Sequence, residues 1–237
     1  MTPSSSSSPS ATPKQRPEEL SFRTMVDADF KQVSSLFVNV FHREPLGFHM
    51  GVRDDEGDEI ATSSLKDPVS IVVTDSRRPE GREIVAFQGN KIIDRHYMEK
   101  LTRKPPSTCP VDAILDHMVV AWNAQTSIFK NNPNAKVMYY LAVAVEEEYE
   151  GMGLAKELLD RSMTIAKEQG CDAIVVLATA FATQHLFANR LGFDRIVQLR
   201  YEDFEMWTDS IEGERKFPFL GLAQPEFIEA YETMVKV

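Results

Sequence analysis

A glycine turn just past the middle of the chain carries the residues with the most specific chemistry. It reads Glu150-Gly151-Met152-Gly153-Leu154-Ala155 and lies between an apolar run, residues 137–145, and a helical stripe that ends before Gly170. The run predicts a strand buried on both faces, and Gly170 is typical of a helix C-cap. A strand, a glycine turn and a helix N-terminus direct several backbone N–H groups at one point. The arrangement predicts a site for a phosphate-bearing cofactor.

Two common phosphate-binding motifs do not fit this turn. A Walker loop ends in Gly-Lys followed by Ser or Thr, and the turn has no such triplet. A Rossmann fingerprint requires a third small residue, whereas position 156 is Lys. A third pattern, Arg/Gln-x-x-Gly-x-Gly/Ala, fits better, because Gly153 and Ala155 match its last two fixed positions.

The segments that position this turn alternate between strand-like and helix-like patterns, which indicates an α/β (α+β) chain with one central sheet. A helix before Pro45 must end near Glu44, because proline disfavours helical backbone at the preceding residue. Further predicted segments are a strand at 20–25, an acidic loop at 51–57, a hairpin at 69–73 and 84–87, a helix at 111–129, strands at 173–178 and 193–199, a short helix at 182–191 and a final helix after Pro225.

The composition narrows the classes of partner. With 237 residues, 43% of them hydrophobic, the chain can build a sizeable core, and its formal net charge of −10 argues against nucleic acid or an anionic membrane. The charge suits a cationic small molecule such as an amine. Two cysteines, Cys109 and Cys171, indicate a reduced cytoplasmic protein. We expect a monomer with a disordered Ser/Pro-rich tail at 1–19 and a single domain at 20–237 that includes a C-terminal helix.

Three segments together resemble the GNAT acetyltransferase superfamily over about residues 20–204. The glycine turn resembles the pyrophosphate arm of its acetyl-CoA-dependent N-acetyltransferases, and Leu191-Gly192-Phe193 resembles the end of the companion helix. Phe41-His42-Arg43-Glu44-Pro45-Leu46 is similar to an aromatic-acidic-Glu-Pro-Leu segment of invertebrate (insect and nematode) arylalkylamine N-acetyltransferases of the dopamine type. The resemblance implies the GNAT fold, a central mixed and mostly antiparallel sheet flanked by helices, with acetyl-CoA as co-substrate.

The resemblance also implies a catalytic set of one carboxylate and two hydroxyls. The family's general base, relayed to the amine by water, matches Glu44, and two hydroxyl residues four apart match Thr179 and Thr183. A base suits the chemistry, because an alkylammonium group with a pKa near 10 must lose a proton before it attacks a thioester. Without the resemblance, Glu44 is more readily interpreted as an exposed carboxylate at a helix end. Thr179 and Thr183 are then interpreted as strand-end and N-cap residues.

Backbone groups are expected to hold acetyl-CoA. N–H groups of the central strand near Val143 and Val145 would polarise the thioester carbonyl, and amides of the glycine turn would hold the pyrophosphate. Thr183 would hydrogen-bond the departing thiolate or return a proton to it, and no metal is required. The expected cofactor-binding residues are Val143, Ala144, Val145, Glu150, Gly151, Met152, Gly153, Leu154 and Ala155.

Two positions depart from the family pattern. The turn begins with Glu150 where the pattern has Arg or Gln, and this carboxylate opposes pyrophosphate binding unless it turns to solvent or pairs with a cation, for which Lys156 is a candidate. The family's Tyr general acid, four residues before Gly192, is replaced by Ala188. The sequence therefore does not identify the general acid.

Three functions remain open on these observations. The leading hypothesis is direct acetyl transfer from acetyl-CoA to the primary amine of an arylalkylamine such as dopamine, serotonin, tyramine or octopamine. A polyamine or agmatine acetyltransferase also suits the negative charge. The third is a catalytically weak acyl-CoA-binding protein of the same fold.

Overall fold

A computed structural model describes residues 16–207, 215–222 and 224–235. Apolar, β-branched runs form a seven-stranded sheet in the order β1-β2-β3-β4-β5-β9-β6, and β7 and β8 form a separate two-stranded ribbon. Residues 1–15 of the predicted tail lie outside the described residues. The strands are β1 Leu20–Thr24, β2 Ile71–Asp75, β3 Ile84–Ile93, β4 Val137–Val145, β5 Ala173–Ala178, β6 Asp194–Arg200, β7 Met206–Trp207, β8 Arg215–Lys216 and β9 Phe227–Met234.

Helices cover both faces of the seven-stranded sheet. Apolar side chains of α1 and α3 pack on Phe87 and Ala142, whereas Leu154 and Leu158 of α7 pack on the opposite face against Ala86. No helix in the described part of the chain is long and apolar enough to cross a membrane. The helices are α1 Phe30–Phe41, α2 Pro45–Met50, α3 Asp54–Leu65, α4 Arg95–Arg103, α5 Pro110–Gln125, α6 Ile128–Asn131, α7 Leu154–Glu168 and α8 Phe181–His185, the last followed by a π turn at Leu186–Arg190.

The pairing of β4 changes halfway along the strand. Gly89 of β3 pairs with Ala142, whereas Asn90 pairs with Tyr140, so Leu141 is an extra residue that forms a β-bulge in β4. β4 also pairs with β5 in parallel, but the last pair is Tyr140 with Val176. Beyond this point the second half of β4 has β3 on one side, and none of the described strands pairs with it on the other. The sheet is therefore open next to the bulge.

The expected mixed, mostly antiparallel sheet flanked by helices is confirmed, with β4 and β5 as its parallel pair. The predicted C-terminal helix is wrong, because the segment after Pro225 is β9, which pairs with both β5 and β6 and buries Ile228 and Ala230. Pairing on both sides overrides the helix-favouring residues of this segment.

The predicted loop at 51–57 is also wrong in its second half. Helix α3 begins at Asp54, and its first turn contains Asp54, Asp55 and Glu56. Carboxylates at this end of a helix interact favourably with its dipole. The acidic residues that we interpreted as a loop therefore mark the beginning of a helix.

Candidate functional site

A cleft opens where β4 and β5 separate. Its empty volume is about 990 Å³, part of which is open to solvent. Its walls come from both faces of the sheet, because Phe37 belongs to the cluster under α1 and Phe187 to the cluster under α7. The predicted site residues that line this cleft are Glu44, Val143, Thr179 and Thr183.

Glu44 lies in the short link between α1 and α2. Its backbone is extended, with φ −72° and ψ 142°, which is the conformation that Pro45 imposes on its predecessor. Burial raises the pKa of the Glu44 carboxyl, the negative charge of Glu150 adds to this effect, and Arg43 opposes it. A half-buried carboxylate with a raised pKa at the wall of a cleft can act as a general base.

The glycine turn has a backbone shape suited to a phosphate group. Gly151 and Gly153 have φ values of 81° and 79°, in the left-handed region that favours glycine, and a Cβ at either would meet nothing within 4 Å. Leu154 and Ala155 begin α7, and Met152 packs against the apolar cluster beneath it. Leu154 is fully buried. The first N–H groups of α7 therefore border open space and are available to the diphosphate of a cofactor.

The open edge of β4 carries two further donors. The N–H of Glu146 donates to the carbonyl of Val85 at 2.9 Å and therefore points toward β3. Because N–H groups alternate in direction along a strand, those of Val143 and Val145 point to the other edge, where β5 no longer pairs. Ala144 points its N–H toward β3 and buries its methyl group on the α1 face.

Arg43 provides the cation for Glu150. Nη1 of Arg43 lies 3.1 Å from Oε1 of Glu150 and 3.3 Å from Oε2 of Glu147. Lys156, which we considered from the sequence, instead pairs with Asp160 at 2.6 Å. The pairing connects the link that contains Glu44 to the glycine turn.

The hydroxyl of Thr183 and the backbone carbonyl of Thr179 already take part in hydrogen bonds. The Thr183 hydroxyl donates to the carbonyl of Ala180 at 2.8 Å and accepts the N–H of the same residue at 3.3 Å. The carbonyl of Thr179 accepts the hydroxyl of Tyr201 at 3.4 Å. Thr183 therefore caps α8 in addition to lining the cleft.

Two residues of the cleft were not predicted from the sequence. Gln88 and Tyr140 are 1% and 2% exposed, yet Gln88 Oε1 and the Tyr140 hydroxyl have no partner among the described residues. The sequence did contain a clue, because a glutamine and a tyrosine stand inside apolar strands. Only the fold, however, shows that both residues line the cleft. Buried polar atoms without a partner are uncommon, and both residues line the cleft, although each of the two atoms exposes less than 1 Å².

The acetyltransferase (GNAT) family matches residues 71–193, which run from the start of β2 to the residue before β6. No curated protein matches the chain in a sequence comparison. Acetyltransferases of this family use acetyl-CoA, for which the open turn and the free edge of β4 are suited.

Solved structures share the fold at low sequence identity. Arylalkylamine N-acetyltransferase 2 from Aedes aegypti is 20% identical, with a TM-score of 0.71 over 92% of this chain and 100% of that one. An agmatine N-acetyltransferase is 17% identical, with a TM-score of 0.70 over 92% and 100%. The Drosophila melanogaster polyamine N-acetyltransferase is 18% identical, with a TM-score of 0.69 over 91% and 99%. The family match, the sheet opening at β4 and the glycine turn agree, and the chain belongs to the GNAT family of acetyltransferases.

Proposed function

We propose that the protein transfers the acetyl group of acetyl-CoA to the primary amine of an arylalkylamine, such as dopamine, serotonin or tyramine. The observation that carries this proposal is the apolar wall beside Glu44. The rings of Phe37 and Phe41 stack with centroids 4.2 Å apart, and Leu46 and Leu115 extend the same surface. An aromatic ring packs on such a wall while its ammonium group faces the carboxylate.

Glu44 is the general base of this proposal. The amine arrives as a cation, and the negative carboxylate attracts it into the cleft. Glu44 then accepts a proton, directly or through one water molecule, and the neutral nitrogen can attack the thioester carbonyl. Burial raises the pKa of Glu44, so its carboxylate is a stronger base than one in open solvent.

The chain holds the acyl donor through the groups described above. The N–H groups of Val143 and Val145 face the open edge and would stabilise negative charge on the carbonyl oxygen. The amides of Gly151 to Ala155 would hold the diphosphate, while Arg43 compensates the charge of Glu150. Thr179 and Thr183 also line the cleft and would contact the acyl group.

A polyamine or agmatine acetyltransferase is the second candidate. Glu56 also lines the cleft, and a second carboxylate suits a substrate with a second cation. However, Arg53 lies 3.7 Å from Glu56 and partly neutralises it. Solved structures of similar fold include an agmatine and a polyamine acetyltransferase as well as an arylalkylamine N-acetyltransferase. The apolar wall leads us to favour the aryl substrate.

An amine panel with acetyl-CoA, followed by thiol release, tests the proposal. We expect kcat/KM for tyramine, dopamine or tryptamine to exceed that for agmatine and spermidine by about tenfold or more, the discrimination that an apolar pocket provides. Higher activity on agmatine, selectively reduced in Glu56→Gln, would establish the second candidate instead. Binding of acetyl-CoA without transfer to any amine would reject both and leave an acyl-CoA-binding protein.

A further inference from the structure

The cleft contains a second carboxylate, which the proposed transfer of the acetyl group does not use. Among the described residues that line the cleft, the charged ones are Glu44 and Glu56. Glu56 stands in the first turn of α3, and Ile60, one turn later on the same face of that helix, also lines the cleft. The side chain of Glu56 is 18% exposed, whereas that of the preceding Asp55 is 65% exposed. Glu56 is therefore the acidic residue of this turn that borders the cleft.

The carboxylate oxygens of Glu56 can accept further hydrogen bonds. The neighbouring Arg53 forms its two hydrogen bonds with Asp55, at 2.9 and 3.1 Å. Nη2 of Arg53 lies 3.7 Å from Oε1 of Glu56, which is too far for a hydrogen bond. A carboxyl group retains an acceptor oxygen whether or not it is protonated. A donor group of a molecule in the cleft can therefore bind to Glu56.

The two carboxylates lie in different parts of the cleft. Burial raises the pKa of both carboxyl groups. The negative charge that adds to this effect at Glu44 is that of Glu150, in the glycine turn. At Glu56 it is chiefly that of Asp112, in the first turn of α5. Glu44 thus faces the glycine turn, and Glu56 faces the beginning of α5.

An apolar wall connects the two parts. Phe37 and Phe41 form the stacked pair beside Glu44, and Ile60 of α3 belongs to the same apolar cluster. All three of these apolar residues line the cleft. A substrate ring that packs on the stacked pair, with its ammonium group at Glu44, therefore extends along this wall toward Glu56.

We propose that Glu56 selects among arylalkylamines by accepting a hydrogen bond from a hydroxyl group on the substrate ring. The inference rests on the proposed acetyl transfer and narrows its substrate class to hydroxylated rings, such as those of tyramine, dopamine and serotonin. A neutral hydroxyl suits this position better than a second cation does. The reason is that burial and the nearby Arg53 both reduce the negative charge that Glu56 offers to a ligand.

A pair of matched substrates tests the contact in the wild-type protein. Tyramine and para-fluorophenethylamine have nearly the same shape, but only tyramine has a ring hydroxyl that can donate. We expect kcat/KM to be about tenfold or more higher for tyramine, chiefly through a lower KM, because the hydrogen bond is present both before and during the transfer. Equal values would overturn the inference and leave the proposed transfer intact. Absence of transfer to any amine would overturn both.

Substitutions in α3 test whether Glu56 is the source of this preference. We expect Glu56→Ala to reduce the preference for tyramine to about twofold or less, with kcat/KM for the fluorinated amine little changed, and Glu56→Gln, which retains an acceptor oxygen, to keep part of it. The matched control is Asp54→Ala, which removes an exposed carboxylate from the same turn and should leave the preference unchanged.

Two results with these variants would contradict the inference. An equal fall in kcat/KM for both amines in Glu56→Ala would assign the carboxylate a structural role. A fall confined to agmatine would assign it to a second cation, and the ring hydroxyl would then have no part in selection.

Discussion

Arg43 and Glu150 are 107 residues apart in the chain, yet Nη1 of the arginine lies 3.1 Å from Oε1 of the glutamate. Arg43 thus pairs with the carboxylate whose charge would oppose a bound pyrophosphate. Both side chains are more than a third exposed, and the pair therefore adds little to stability. Its consequence is local, because it reduces the negative charge at the glycine turn.

We predict that Glu150→Gln tightens acetyl-CoA binding by about two- to tenfold. The substitution removes a carboxylate next to the expected diphosphate and leaves Arg43 with Glu147 as an acidic partner, so the net negative charge at the turn falls by one. Titration calorimetry at low salt measures the change, which should diminish at high salt. Arg43→Ala is the opposing variant and should weaken binding, because it leaves Glu150 uncompensated. Unchanged or weaker binding of Glu150→Gln would contradict this account of the turn.

We predict that Glu44→Gln stabilises the ligand-free protein at about pH 7. Burial raises the pKa of Glu44, so the folded chain holds this proton more tightly than the unfolded chain does. The protonated Glu44 carboxyl therefore contributes to the free energy of unfolding below about pH 4. This contribution is lost as the pH rises through the raised pKa of Glu44 in the folded chain. Thermal unfolding should show a higher melting temperature for the variant at neutral pH and no difference at about pH 4.

The control for this variant is Glu80→Gln in the exposed turn between β2 and β3, which should leave the melting temperature nearly unchanged. An equal gain in both variants would indicate a general effect of net charge.

We predict that Asp75→Ala destabilises the fold and weakens acetyl-CoA binding. Asp75 is buried and accepts hydrogen bonds from the Arg77 guanidinium at 2.6 Å and the Tyr149 hydroxyl at 2.7 Å, and Tyr149 directly precedes the glycine turn. An unpaired Tyr149 hydroxyl costs about 1–3 kcal/mol. Denaturant unfolding measures the loss.

The pH dependence gives this prediction a second check. The Arg77 hydrogen bond holds the pKa of Asp75 far below its usual range, so its contribution is present above about pH 4 and is lost as the pH falls below that value. The stability gap between wild type and variant should narrow at about pH 3. A gap that stays constant with pH would show that the ionised carboxylate is not its source.

Part of this fold could be predicted from local sequence patterns. Residues 137–145 form a continuous apolar run, and Gly151 and Gly153 stand at positions with positive φ, so the strand and the turn followed from composition and spacing. The extended backbone of Glu44 followed from Pro45. Each of these features depends on residues close together in the chain.

Features that depend on contacts between residues far apart in the chain could not be predicted from the sequence. Strand β9 contains Glu229 and Glu232, which suggest an exposed helix, but Arg195 pairs with the first and Trp122 donates to the second. The bulge at Leu141 arises from the β3–β4 register and has no local sequence signal. The partner of Arg43 and the unpaired hydroxyl of Tyr140 likewise depend on segments that only the fold brings together.

The central claim is that Glu44 removes the proton of an amine that the cleft acetylates, and the pH dependence of kcat/KM tests it most directly. With tyramine and acetyl-CoA, wild-type kcat/KM should fall as the pH drops through the raised pKa of Glu44, because the protonated carboxyl cannot accept a proton. Glu44→Gln should lose this acid limb and about a hundredfold in rate near neutral pH, with acetyl-CoA affinity unchanged. A variant with the wild-type rate and the same acid limb would contradict the account.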